Sequence, residues 1–176
     1  MRPPSGGMIG ASLGAALIAT AAVAQTAAPP PPKTQDFVTG ASQSDQYEIM
    51  AGQTVETQSR DPRVRAFAEE MIRDHTQTTQ ALRQAVMTSG LKPPPEGMGG
   101  DQAMLLSSLQ SLRGADLDRA YATQQVIAHQ AALVLAQAYA SAGADANVRR
   151  AAEAAAPMIG HHLQEAKELR SALGGE

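Results

Sequence analysis

The stretch Asp61-Pro62-Arg63-Val64-Arg65-Ala66-Phe67-Ala68-Glu69-Glu70-Met71-Ile72-Arg73-Asp74-His75-Thr76, continued to Gly90, decides the fold. Asp61 can cap a helix, and Pro62 suits a first turn, where its missing amide hydrogen costs nothing. Val64, Phe67, Met71, His75, Thr78 and Leu82 follow at steps of three and four, so they share one helical face. The pattern predicts a helix to about residue 89, stopped by Gly90. His75 is the exception on this apolar stripe. A polar group at a core position costs free energy unless it is hydrogen-bonded, paired or coordinated.

The same reading extends outward in both directions. A helix over residues 35–59 carries the seam Phe37, Ala41, Ser44, Glu48, Ala51, Val55. After a Pro- and Gly-rich loop at 93–100, a short helix covers 101–112, and Gly114 interrupts it. A third long helix follows over 115–142. Arg119, Thr123, Gln130 and Gln137 mark its wet side, and Tyr121, Gln125, Ala128, Ala132, Leu135 and Tyr139 lie opposite, flanked by His129. Gly143 ends it. Asp145 caps a last helix to about 173, with the seam Val148, Ala152, Ala155, Ile159, His162, Ala166, Leu169, Leu173. Pro157 lies inside this helix and should kink it or split it in two. Four long amphipathic helices with a long second connection predict an all-α, antiparallel four-helix bundle.

Each long helix thus places one metal-capable side chain near mid-seam: Glu48, His75, His129 and His162. Glu48 lies thirteen residues before Asp61 and His75 fourteen after it, so the two meet at one level of an antiparallel hairpin. His129 lies fourteen before Gly143 and His162 nineteen after it, a mismatch of about 7 Å at the helical rise. Imidazole and carboxylate suit Cu, Zn or Fe, and bundle interiors are where such sites are built. Met71 and Met158 stand four residues before His75 and His162, so each pair shares a face. A thioether there suits copper, although methionine at this spacing commonly fills core gaps. His161 is an auxiliary ligand candidate, one residue off the seam. The carboxylate-bridged di-iron pattern requires Glu-x-x-His on two helices, and Ile72, Val126 and Ile159 occupy the required positions here. The competing reading is a polar layer that only fixes helix register, with Asp74 and Asp118 available to hold histidines.

Composition narrows the function classes. The 176-residue chain has no Cys, which removes thiolate metal sites, catalytic thiols and a lipidated anchor. No nucleophile elbow or phosphate-cradling glycine loop is present. Residues 1–24 read as a secretory signal peptide: Arg2, an apolar run from Ile9, then Ala22-Val23-Ala24. Residues 25–34, with four consecutive prolines, read as an extended tether before a domain at 35–174. Without residues 1–24, thirteen basic and seventeen acidic side chains remain, an acidic balance that argues against nucleic-acid binding. The expected location is periplasmic or secreted, in the bacterial envelope, with no membrane span after signal cleavage. A homodimer is left open, and partners are unassigned.

With these residues placed, the chain resembles a family of exported, ferritin-like bacterial proteins of unknown function, domain of unknown function 4142, often labelled outer-membrane proteins. The matching stretches are Val64–Ala68 with Met71–Thr76, Gly114–Tyr121, Ala128-His129-Gln130, and Pro157 followed by His162-Leu163. The resemblance spans about 37–173 and implies a ferritin-like bundle and an envelope location, with no established activity. The outer-membrane label fits poorly, since the chain has no alternating strand segments for a barrel. Met158-Ile159-Gly160-His161-His162 is also similar to a segment of exported copper-linked bundles. The expected role is therefore binding or envelope stress rather than catalytic turnover.

Overall fold

The structure is a computed structural model and describes residues 31–174. The segment read as a signal peptide, 1–24, and most of the expected tether at 25–34 lie outside these residues. The elements are α1 (Thr34–Gln58), α2 (Pro62–Thr88), α3 (Gly100–Ser111), α4 (Gly114–Ala142) and α5 (Ala146–Ala172). No helix among the described residues is long and apolar enough to cross a membrane.

Local chemistry sets the helix ends. Asp61 Oδ1 accepts from the Arg63 amide at 2.9 Å, with Pro62 in the first turn. Asp145 Oδ1 accepts from the amides of Asn147 and Val148 at 3.0 and 2.9 Å. These bonds satisfy amides that have no partner inside the helix. Gly90 stops α2 with φ +63°, a conformation that glycine adopts without a Cβ clash. α5 runs through Pro157 as one helix, which rules out the split. The missing bond would have run to the Glu153 carbonyl, and both residues are exposed, so water can take the carbonyl.

α1 and α2 form one tight hairpin and α4 and α5 another. Between the hairpins, α1 faces α4 and α2 faces α5. Tyr47 donates to Gln124 Oε1 at 2.7 Å, and Tyr139 donates to Thr34 Oγ1 at 2.7 Å, so α1 and α4 run antiparallel. Asp74 meets His162 and Ser89 meets Asp145, so α2 and α5 also run antiparallel. α2 and α4 must then be parallel. Residues 89–113, with α3 inside them, cross from one end of the bundle to the other. A single long crossover is the connectivity of ferritin-like bundles. α3 is pinned by buried Leu106 and Leu109 and by a Gln124 Nε2 bond to Ser108 Oγ at 2.9 Å.

Two core clusters result. The larger includes Tyr47, Val55, Phe67, Met71, Leu109, Leu117, Tyr121 and Leu163. The smaller closes the other end with Phe37, Val38, Leu82, Val86, Tyr139 and Val148, where Phe37 and Tyr139 stack at 4.2 Å. Along their helices His75, His129 and His162 fall between the two clusters, while Glu48 lies among residues of the larger one.

The phase of α4 differs from the sequence-based expectation. Its buried line is Leu117, Asp118, Tyr121, Ala122, Gln125, Val126, His129, Ala136 and Tyr139. His129 is therefore fully inside rather than flanking, and Ala132 is only half-buried. Alanine occupies both sides of this helix, so apolar periodicity marks its face weakly.

α1 approaches α2 most closely at Gly52. A Cβ there would lie 2.8 Å from Ile72 Cγ1 and 3.0 Å from the Ala68 carbonyl oxygen. Helix propensity alone favours alanine by about 1 kcal/mol, but overpacking at a backbone contact costs about 1–3 kcal/mol. Gly52→Ala should therefore lower the urea unfolding midpoint; an unchanged or higher midpoint would refute this close packing.

Candidate metal centre

His75 on α2, His129 on α4 and His162 on α5 come together at one level between the two core clusters. Their ring centroids are 5.5, 5.5 and 5.3 Å apart. Each ring offers a nitrogen within 4.8 Å of the others, and all three residues are buried. The mismatch expected between His129 and His162 is closed in two ways. The turn takes up residues 143–145, so His129 and His162 lie thirteen and sixteen residues from their helix ends. Helical side chains also lean toward their own N-terminus. In an antiparallel pair this carries His129 away from the turn and His162 toward it.

One nitrogen of each ring is held from outside the cluster. His75 Nδ1 donates to Asp45 Oδ1 at 2.9 Å. His129 Nδ1 donates to the Gln125 carbonyl, one turn earlier, at 3.0 Å. His162 Nε2 donates to Asp74 Oδ2 at 3.1 Å. Asp45 is itself fixed by Thr78 Oγ1 at 3.0 Å and Thr79 Oγ1 at 3.1 Å. The remaining nitrogens, His75 Nε2, His129 Nε2 and His162 Nδ1, carry lone pairs once the rings are neutral. His162 Nδ1 is buried with no hydrogen-bond partner. His75 Nε2 faces His129 Nε2 at 3.4 Å. Two lone pairs at that separation repel each other, so either a proton on His75 or a shared cation has to lie between them. Such outer partners fix the orientation and tautomer of metal-ligating imidazoles.

The other predicted residues are placed as follows. Glu48 is buried beside this layer, outside the three-nitrogen cluster, and its carboxylate accepts from Gln125 Nε2. Met71 packs into the larger core cluster, and Met158 lines a cavity above the histidines. His161 is largely exposed, 3.5 Å from Glu165. Asp74 holds His162, as its nomination as a histidine partner anticipated. Asp118 has an unpartnered buried Oδ1. Sequence reasoning missed Asp45. Ser44 filled the seam position, yet Asp45 lies thirteen residues from the end of α1, and His75 the same distance into α2. Its spacing of three from Glu48 was the available signal.

The electrostatics follow from burial. Burial pushes Glu48 up to about 7, partly offset by His75 and the Gln125 hydrogen bond. Burial lowers His129 to about 3, with His75 and His162 adding repulsion. His162 falls to about 4, first through burial and then through His75, against the pull of Asp74. Burial also works against charge on His75, but the Asp45 hydrogen bond and the Glu48, Asp45 and Asp74 carboxylates outweigh it, and its affinity for a proton rises. Without metal, His75 is therefore the ring of the three that takes a proton most readily.

This is an all-α bundle with a buried three-histidine cluster. The family model described as "Domain of unknown function (DUF4142)" matches residues 19–169, and the chain belongs to that family. No curated protein matches. Solved structures of several proteins share the fold, three of them as follows. A candidate secreted DUF305 protein from Streptomyces coelicolor is 14% identical with TM-score 0.69, covering 80% of this chain and 93% of that one. A DUF305 fragment from Deinococcus radiodurans is 17% identical with TM-score 0.67, covering 82% and 99%. CopM in the Cu(II)-bound form is 16% identical with TM-score 0.67, covering 81% and 98%.

The shifts fix the pH profile of the metal-free protein. His129 and His162 stay neutral when folded but charge near 6.5 when unfolded, so stability falls as pH drops below 6.5 toward about 4 and about 3. Glu48 acts oppositely between 4.5 and about 7, but as one group against two. The contribution of His75 is complete below 6.5 and is lost as pH rises through its raised value. Thermal unfolding should peak near pH 6.5 and decline clearly by pH 4.5. A flat profile across that interval would mean the rings are not buried neutral.

Proposed function

We propose that this chain is an extracytoplasmic transition-metal-binding bundle whose centre is His75 Nε2, His129 Nε2 and His162 Nδ1. The single observation that carries the reading is the orientation of the rings. Each uses one nitrogen for an outer partner, one nitrogen of each ring lies within 4.8 Å of the others, and His162 Nδ1 is buried with no partner. A register-fixing polar layer has no need to leave a buried acceptor unmatched.

Three neutral imidazoles without a thiolate suit Cu or Zn over Fe or Mn, and the divalent affinity order ranks copper first. CopM, a protein of the same fold, is described in a Cu(II)-bound form, which supports copper. Glu48, beside the cluster, would supply negative charge near a bound cation. Met71, Met158 and His161 remain auxiliary candidates only. The secreted description of the Streptomyces relative and the signal-like start of this chain support an extracytoplasmic location. The role is binding rather than turnover.

Metal content of protein purified without affinity tag or chelator should be near one copper or zinc per chain. It should fall to background in His129→Ala and His162→Ala. Absence of metal in the parent after loading and dialysis would overturn the proposal. Asp45→Asn keeps the three ligands but loosens His75, so affinity should drop about 10–100-fold by equilibrium dialysis. Unchanged affinity would remove Asp45 from the centre.

A further inference from the structure

Between the histidine layer and the smaller core cluster lies a cavity of about 490 Å³. It sits where the two hairpins face each other, and its walls are kept small: Gly40 and Ala41 on α1, Ala132 and Ala136 on α4, Ala151 and Ala155 on α5. Leucine-sized side chains at these positions would fill the space, as Leu, Val and Phe fill the core on either side. Its floor is polar, formed by Asp45, His75 and Thr78. Its exposed lining includes Leu105 and Ile127, which are 39% and 62% exposed.

An apolar cavity left empty forfeits stability in proportion to its volume, and an apolar wall does not hold water well. A volume in this range, mostly apolar with a few polar groups at one end, is the usual form of a small-molecule site. The lining also selects charge. No Lys or Arg lines the cavity. Its one carboxylate, Asp45, is already engaged by His75, Thr78 and Thr79. The one ionisable pair at the floor, His75 with Asp45, is already satisfied by itself, so an anionic ligand would find no unpaired cation and a cationic one no free carboxylate.

We propose that this cavity binds an uncharged, largely apolar small molecule whose single polar group reaches the Asp45–His75–Thr78 floor. The site borders the metal centre through His75 but does not depend on metal being bound.

The test uses the full chain, metal-free, with two probes sharing one ring system: neutral N-phenyl-1-naphthylamine and its anionic sulfonate, 1-anilinonaphthalene-8-sulfonate. The neutral probe should bind saturably at one per chain with a fluorescence rise, and the sulfonate at least ten-fold more weakly. Ala132→Leu and Ala155→Leu fill the cavity from different helices. Each should weaken neutral-probe uptake several-fold, and the double variant more than either, while melting at or above the parent temperature. No saturable uptake by the parent overturns the proposal, whatever the variants do. So does equal binding of both probes, uptake unchanged in folded filling variants, or a dimer that takes up no probe, which would assign the exposed lining to a second copy. Metal content in the same samples reports on the histidine centre separately, so the two claims can fail independently.

Discussion

Three imidazoles can share one buried layer of this bundle because one nitrogen of each is held from outside the cluster. Asp45, the Gln125 carbonyl and Asp74 take those nitrogens, and one nitrogen from each ring lies within 4.8 Å of the others. Free rings would rotate to pair with one another or expel themselves toward solvent. Held rings cannot, so the layer keeps an unmet demand for positive charge. A proton on His75 meets it in part, and a transition metal would meet it more fully.

The architecture makes room for this. The two hairpins pack tightly within themselves and more loosely against each other. Their apolar residues separate into a larger and a smaller cluster, and the polar layer and the alanine-walled cavity lie between. Stability is concentrated at the two ends. At one end Phe37 stacks on Tyr139, and Ser89 bonds Asp145 and Asn147. At the other, the larger cluster closes with α3 laid across α1 and α4. The middle is left for chemistry, as in other bundles that carry interior sites.

Much of this was legible in the chain because helix boundaries are written in local chemistry. Asp61-Pro62 and Asp145 cap where their side chains can reach free amides, and Gly90 adopts the left-handed turn that ends α2. His75 and His162 were legible because their helices have one clearly apolar face. The face of α4 was harder to read, since alanine on both sides leaves little contrast, and His129 was placed one position off the core line. Asp45 was hidden for a different reason. Counting from the turn residue rather than from the helix ends made Glu48 the natural partner of His75, whereas the helix ends put Asp45 level with it. Spacing on one helix cannot report which of two carboxylates, three residues apart, a neighbouring ring will choose.

The most direct test of the central claim is the state of the histidine nitrogens, read by long-range ¹H–¹⁵N NMR on uniformly labelled protein as zinc is added. Without metal, His129 should be the Nδ1–H tautomer, His162 the Nε2–H tautomer, and His75 should carry a proton on Nδ1 and take a second before either other ring as pH falls. At one equivalent of zinc, His75 Nε2, His129 Nε2 and His162 Nδ1 should shift together while His161 stays unchanged. A response confined to His161, or opposite tautomers at His129 and His162, would contradict the account.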